Sequence, residues 1–178
     1  MIVRGRWTKS GPKGKPFFWA RVKLPNGHRA FVDLELDTAS SQTILSESAF
    51  PEGMLASLGL PVRPVRTAMG RVPAYVVRHC DVQLYDPEGN QHVVRDLDTW
   101  FLKEIELDAR QLKVFRQVFC SQFEERIQLP RNLLGRDILN RLFLLAHNPT
   151  RLLLTDEAPL VHRFIEENFR VGPKIIPP

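Results

Sequence analysis

Residues 31–45 of this chain read FVDLELDTASSQTIL, and residues 133–139 read LLGRDIL. The first segment ends an apolar strand on Asp37 and follows it with a tight turn of small residues, Thr38, Ala39, Ser40 and Ser41. A carboxylate presented on such a turn can take a proton from a bound substrate or give one to it, and small neighbours let a substrate backbone come close. The second segment places Arg136 and Asp137 behind an apolar run broken by Gly135. Other reactive residue types carry less. His79 and Cys80 are adjacent but have no second pair to complete a metal site. Ser40 and Ser41 lack the Gly-x-Ser-x-Gly elbow of a serine hydrolase. The sequence has no phosphate loop and no dinucleotide fingerprint.

The elements that would hold Asp37 read as strands. Phe17 to Leu24 is rich in β-formers, Asn26-Gly27 marks a hairpin turn, and Arg29 to Leu36 returns. Along the return, Val32, Leu34 and Leu36 alternate with Phe31, Asp33 and Glu35, giving one apolar face that ends beside Asp37. Thr43 to Ser46 resumes a short strand, and Ser46 can N-cap a turn through Ser48, Ala49 and Phe50. A short helix over 52–60 closes at Gly59 before Pro61. Strands over 62–67 and 72–84 predict a second hairpin with Ala68, Met69, Gly70 and Arg71 at its tip. The turn Asp86-Pro87-Glu88-Gly89-Asn90 leads to a strand over 91–97.

Over 98–130 the period changes. Leu112, Phe115, Val118, Phe119, Phe123 and Ile127 share one helical stripe. Asp108 and Gln111 have the spacing of a capping box, and Pro130 follows, which predicts a helix over 109–126. Beyond the second motif come a short helix over 138–142, strands over 143–146 and 151–155, and an amphipathic helix over 156–169. The chain thus divides into a flexible basic arm (1–16), a domain (17–155) with a helical insertion (98–130), and a C-terminal helix with a Pro-rich tail (156–178).

A length of 178 residues with 43% apolar content suits a single domain. No apolar run is long enough to span a membrane and the first residues have no secretory h-region, so a cytoplasmic chain without a membrane partner is expected. Cys80 and Cys120 are then read as reduced, buried thiols. The net charge is +5, and the first 29 residues hold much of the excess, with no acid among them. A basic surface admits nucleic acid as a partner, but no recognition helix or RNA-stacking motif accompanies it.

The Asp-Thr turn, the Thr43-Ile44-Leu45 strand after it and the Leu-Leu-Gly-Arg-Asp-Ile-Leu element downstream together resemble the retropepsin-like, single-lobe aspartic proteases over residues 17–155. The resemblance implies a mainly β fold: a closed β-barrel lobe with an inserted helix and a C-terminal helix. It implies an aspartic endopeptidase in which two carboxylates share one proton across a water, with no metal and no organic cofactor. One such turn per chain means a homodimer, each copy giving Asp37 at the two-fold axis. Thr38 would then bond across the axis, while Ala39 and Ser40 leave room for substrate. Met69, Gly70 and Arg71 would form a flap over a bound peptide or protein. Leu134, Gly135, Arg136 and Asp137 would support the loop, Arg136 through a buried salt bridge or hydrogen bonds. Two positions depart from the family. Ala39 stands for a Gly and fits either with a negative φ or with modest backbone strain. Ser41 stands where members often carry a second Asp, which leaves Asp137 or another acid to pair with Arg136. Ala39 also motivates an alternative, a catalytically weak or inactive peptide-binding module of the same fold. A third reading is a basic nucleic-acid-associated protein, whose affinity would fall steeply with salt.

Overall fold

The computed structural model describes residues 1–7, 14–67, 70–103, 131–147 and 151–168. In chain order the elements are β1 (Ile2–Arg4), β2 (Arg6–Trp7), β3 (Pro16–Lys23), β4 (Arg29–Leu36), β5 (Ile44–Ser46), β6 (Val62–Thr67), β7 (Gly70–Tyr85), β8 (Gln91–Leu102), β9 (Leu133–Leu134), α1 (Arg136–Leu139), β10 (Phe143–His147), β11 (Arg151–Thr155) and α2 (Ala158–Asn168). The fold is mainly β. The larger sheet runs β2-β3-β4-β9-β5-β8-β7-β6, and β3 also pairs with β7, so the order of pairings returns to β3. A smaller sheet runs β1-β11-β10.

Alternation explains the core. On β3, Phe18, Ala20 and Val22 are buried; they face Leu34, Val32 and Ala30 across β4, and Ala20 and Val22 face Leu84 and Val82 across β7. One apolar face thus runs continuously over three strands. Each large side chain in it contributes about 1.5–3 kcal/mol by leaving water. The outer face carries Phe31, Asp33 and Glu35, as the period-2 pattern predicts. The β3–β4 turn places Gly27 at φ +89°, where a Cβ would be strained. Ser46 caps the 3-10 turn Glu47–Ala49 by accepting from the Ser48 N–H, and Gly59 ends the turn Ala56–Leu58 in the left-handed region.

Two expectations change. Residues 1–7, expected within a flexible arm, form β1 and β2, with Val3 fully buried and opposite Leu154 of β11. Strands of two and three residues between charged neighbours are too short to show a period in sequence. Residues 98–102, expected in the helical insertion, are the last five residues of β8, paired in part with β5 and β7. The period was lost because β7 and β8 carry opposed bulges. His79 (φ +59°) and Asp96 (φ +61°) are both left-handed, and their side chains hydrogen-bond to each other through His79 Nδ1 and Asp96 Oδ1. On β8 the bulge shifts burial from Val94 to Leu97, Thr99 and Phe101, reversing which parity faces inward. The expected helix over 109–126, together with Met69, Cys120 and the Pro-rich end, lies outside the described residues.

Cys80 is fully buried beside the bulge. Loss of hydration pushes its thiol up to about 12 from an ordinary 9.0. The raised value means that its contribution to stability is complete below pH 9 and is lost as pH rises toward 12. In a Cys120→Ser background, iodoacetamide should leave native Cys80 unmodified and label it only on unfolding. Replacing Cys80 by Ala should flatten the alkaline limb of a stability-against-pH curve. Native labelling as fast as that of an unfolded control would contradict this. Among the described residues, no helix is long and apolar enough to cross a membrane.

Candidate active site

The Asp37 loop is built by an insertion of one strand between two others. Strands β4 and β5 do not pair with each other; β9 lies between them, parallel to β4 and antiparallel to β5. The chain therefore leaves β4 at Leu36, arches over the end of β9 and comes down into β5 at Ile44. The Asp37 N–H donates to the carbonyl of Leu134 at 3.2 Å, which extends the β4–β9 ladder to the candidate carboxylate. Past that point Asp37 caps its own turn: its Oδ1 accepts from the N–H groups of Ala39 (2.9 Å) and Ser40 (3.3 Å). Its Oδ2 has no hydrogen-bond partner among the described residues. The carboxyl is half-buried, while Thr38 and Ala39 are exposed. Ala39 is not among the non-glycine residues with positive φ, so the Gly-to-Ala departure costs the turn no backbone strain.

The LLGRD segment locks the arch from below. The Arg136 N–H donates to the carbonyl of Ser40 at 2.9 Å. Asp137 Oδ2 accepts from the Thr43 N–H at 2.9 Å and Oδ1 from the Thr43 hydroxyl at 2.8 Å. The same hydroxyl accepts from the Gly135 N–H at 3.3 Å. Gly135 itself packs against the peptide of Gln42 and Thr43 with no room for a side chain. Leu134 is fully buried in the main core behind the loop. Of the two links expected for Arg136, a buried salt bridge or hydrogen bonds, the structure has the hydrogen bond, made by the backbone; the side chain is exposed, without an ion pair among the described residues. Asp137 does not pair with it either, since both of its oxygens serve Thr43. The physical reason is local. Gly135 begins α1, and the next residue projects from its first turn to solvent while Asp137 turns back on the arch.

Thr43 and Asn132 are participants that the sequence reading did not single out. Thr43 is fully buried and holds three of these bonds. Asn132 spans the gap between β4 and β5, accepting from the Glu35 N–H with its carbonyl and from the Ser46 N–H with its side chain. Neither has a local signal, because each partner lies some ninety residues away. Thr43→Val removes a hydroxyl while keeping volume. It leaves the Gly135 N–H buried without an acceptor and takes one donor from Asp137. The expected loss is about 1–3 kcal/mol, read as a lower thermal midpoint, with Thr43→Ser close to wild type. Equal midpoints for Val and Ser would show the hydroxyl to be idle.

Gly70 and Arg71, expected to belong to a flap, lie near the tip of the β6–β7 hairpin, whose last described pair is Thr67 with Gly70. Val65, Val72 and Ala74 of that hairpin join Ile44 of β5 and Leu102 of β8 in a second apolar cluster, with Leu133 packed against it. The apolar side of the hairpin therefore rests on the strands that flank the Asp37 loop. On β4, Asp33 and Glu35 share strand parity with Asp37; with Arg6, Trp7, Lys15 and Phe17 they line a cavity of about 420 Å³. Glu35 is ion-paired to Arg131 at 3.3 Å. Among the described residues, no group of three His, Cys, Asp or Glu side chains could hold a metal ion.

No family model matches the chain, and no curated protein matches it. Among solved structures it is similar to a retropepsin-like aspartic protease from Rickettsia conorii, with 12% sequence identity and a TM-score of 0.43 over 86% of this chain and 88% of that one.

Proposed function

We propose that this chain is one half of a homodimeric aspartic endopeptidase, a closed-barrel lobe that contributes Asp37 to a shared site. The observation that carries the reading is the state of the Asp37 carboxyl. One oxygen is pinned by two backbone N–H groups and the other is open, on a loop clamped by Gly135–Asp137. Such a group is positioned rather than merely exposed. A lone carboxylate cannot both activate a water and protonate a carbonyl, so a second Asp37 must face it. Thr38 and Ala39, exposed at the top of the arch, are the residues two such loops would bring together.

In that dimer the two carboxyls hold one proton between them, because two adjacent like charges cannot both ionise. The ionised one takes a proton from the water as its oxygen attacks the peptide carbonyl carbon. The protonated one gives its proton to the carbonyl oxygen, and a tetrahedral diol forms. On collapse one diol hydroxyl returns its proton to the ionised carboxyl as the C=O bond re-forms, the C–N bond breaks, and the amine leaves with the proton of the other carboxyl, which restores the shared state. The β6–β7 hairpin, resting on the strands beside the loop, serves as the cover that excludes water.

The test is digestion of an unfolded protein mixture from acid to neutral pH, with and without a statine-type transition-state analogue, over a dilution series. Inhibitable cleavage whose rate per chain falls on dilution is expected, because the dimer dissociates. Constant activity per chain down to trace concentration would rule out a weakly held shared site. A well-folded dimer that cleaves nothing would favour the peptide-binding module.

A further inference from the structure

The β6–β7 hairpin carries a charge pattern that neither the fold nor the proposed chemistry requires. From Gly53 to Cys80 the sequence has no Asp or Glu, yet it holds Arg63, Arg66, Arg71 and Arg78. All four are exposed. Arg66 and Arg71 are directly opposite each other across the hairpin, in neighbouring register positions to the buried pair Val65 and Val72. Alternation therefore turns both arginines to the side away from the apolar cluster. Residues directly opposed across an antiparallel pair lie roughly 5 Å apart at Cβ, and like charges there are destabilising. None of the four has an acidic partner among the described residues.

β6 is the edge strand of its sheet, and edge strands are often charged to prevent strand addition. Edge protection works with either sign, however. A Glu at position 66 would protect as well and would attract Arg71. Arg opposite Arg makes sense when an anion lies over both, since two guanidinium groups can each hold a carboxylate in two-pronged fashion. Exposed aromatic rings that would stack on bases are missing from the described residues of this hairpin, where Tyr75 is buried.

We propose that the outer face of the β6–β7 hairpin docks an acidic polypeptide segment, with Arg66 and Arg71 as the central contacts and Arg63 flanking. The surface is separate from the Asp37 carboxyl, and binding does not depend on proteolysis.

The experiment uses the full chain carrying Asp37→Asn, so that no probe can be cut. A fluorescein-labelled poly-Glu peptide is titrated at low and at physiological salt, beside poly-Gln and oligo-dT. Poly-Glu should bind, poly-Gln should not, and affinity should fall as salt rises. Arg66→Glu with Arg71→Glu should weaken poly-Glu about tenfold or more. Arg29→Glu, an equal charge change per site on the exposed β3–β4 hairpin, should leave it within about twofold. Arg66→Glu alone places opposite charges across the hairpin; its unchanged or raised thermal midpoint shows that lost binding is not lost folding. Because Arg29→Glu changes half as much charge as the double variant, weakening by about threefold or more, half the double variant's effect on a logarithmic scale, would reduce the effect to net charge and overturn the proposal. So would absence of poly-Glu binding, or oligo-dT binding more tightly through the same arginines, which would assign the face to nucleic acid.

Discussion

Asp37→Asn is expected to abolish peptide cleavage while leaving a folded chain with near-wild-type stability. The two halves of this expectation have separate physical causes. Asn keeps an oxygen where Oδ1 accepts from the Ala39 and Ser40 N–H groups, so the turn stays capped. It removes the proton that the open oxygen must hold or release, and in a dimer it does so twice. Loss of general acid–base function alone costs about a hundredfold to ten-thousandfold, and here both the base and the acid are the same residue from two copies. Activity should therefore vanish from a digestion assay. Asp37→Ala makes a useful contrast. It removes the cap as well as the charge, so it should lower the thermal midpoint where Asn does not, with about 0.5–2 kcal/mol lost as for other caps. Measurable cleavage by purified Asp37→Asn protein would end the aspartic-protease reading.

Gly135→Ala is the second large effect, and it acts through space. The φ at residue 135 is −90°, which any residue adopts, so backbone strain is not the reason. The obstacle is the arch itself. A Cβ there would lie 2.7 Å from the Thr43 nitrogen and closer still to the Gln42 carbonyl group, all of it backbone. Backbone held by Asp137 and by the β5 ladder cannot swing aside as a flexible side chain would. The added methyl must either lift the 37–43 arch or push β9 out from between β4 and β5. Overpacking of this kind costs about 1–3 kcal/mol or more, and a shift of about 1 Å in a catalytic carboxyl can cost a hundredfold in rate. The expected variant is folded, less stable and nearly inactive. Full activity in Gly135→Ala would mean that the close approach is not maintained in solution.

Much of this architecture was legible in local pattern. The β3–β4 hairpin was readable from Asn26-Gly27 and from the alternation ending at Leu36, and β6 and β11 have the ends that their residues suggest. What stayed hidden depended on distant partners or on a broken period. The left-handed His79 and Asp96 reset the alternation in β7 and β8 and disguised the end of β8 as something else. Val3 gives no hint in sequence that it fills a core against β11. At the site, the residue types Asp37, Gly135 and Asp137 were visible as a pattern. The division of labour was not, because the anchor that receives Asp137 is Thr43, 94 positions earlier, and nothing near Thr43 announces it.

The seat of β9 between β4 and β5 also sets an order of events during synthesis. Everything through β8 can emerge from the ribosome while the slot between β4 and β5 is still empty, for its occupant begins only at Leu133. Until then two strand edges face one another unsatisfied, and the loop bearing Asp37 has neither Leu134 to receive its N–H nor Asp137 to clamp Thr43. Closing so long a connection is the slow, entropically expensive part of such a fold. A chain that ends before Leu133 should therefore leave the edges of β4 and β5 open and the Asp37 loop unclamped, and should associate through those edges rather than form the arch.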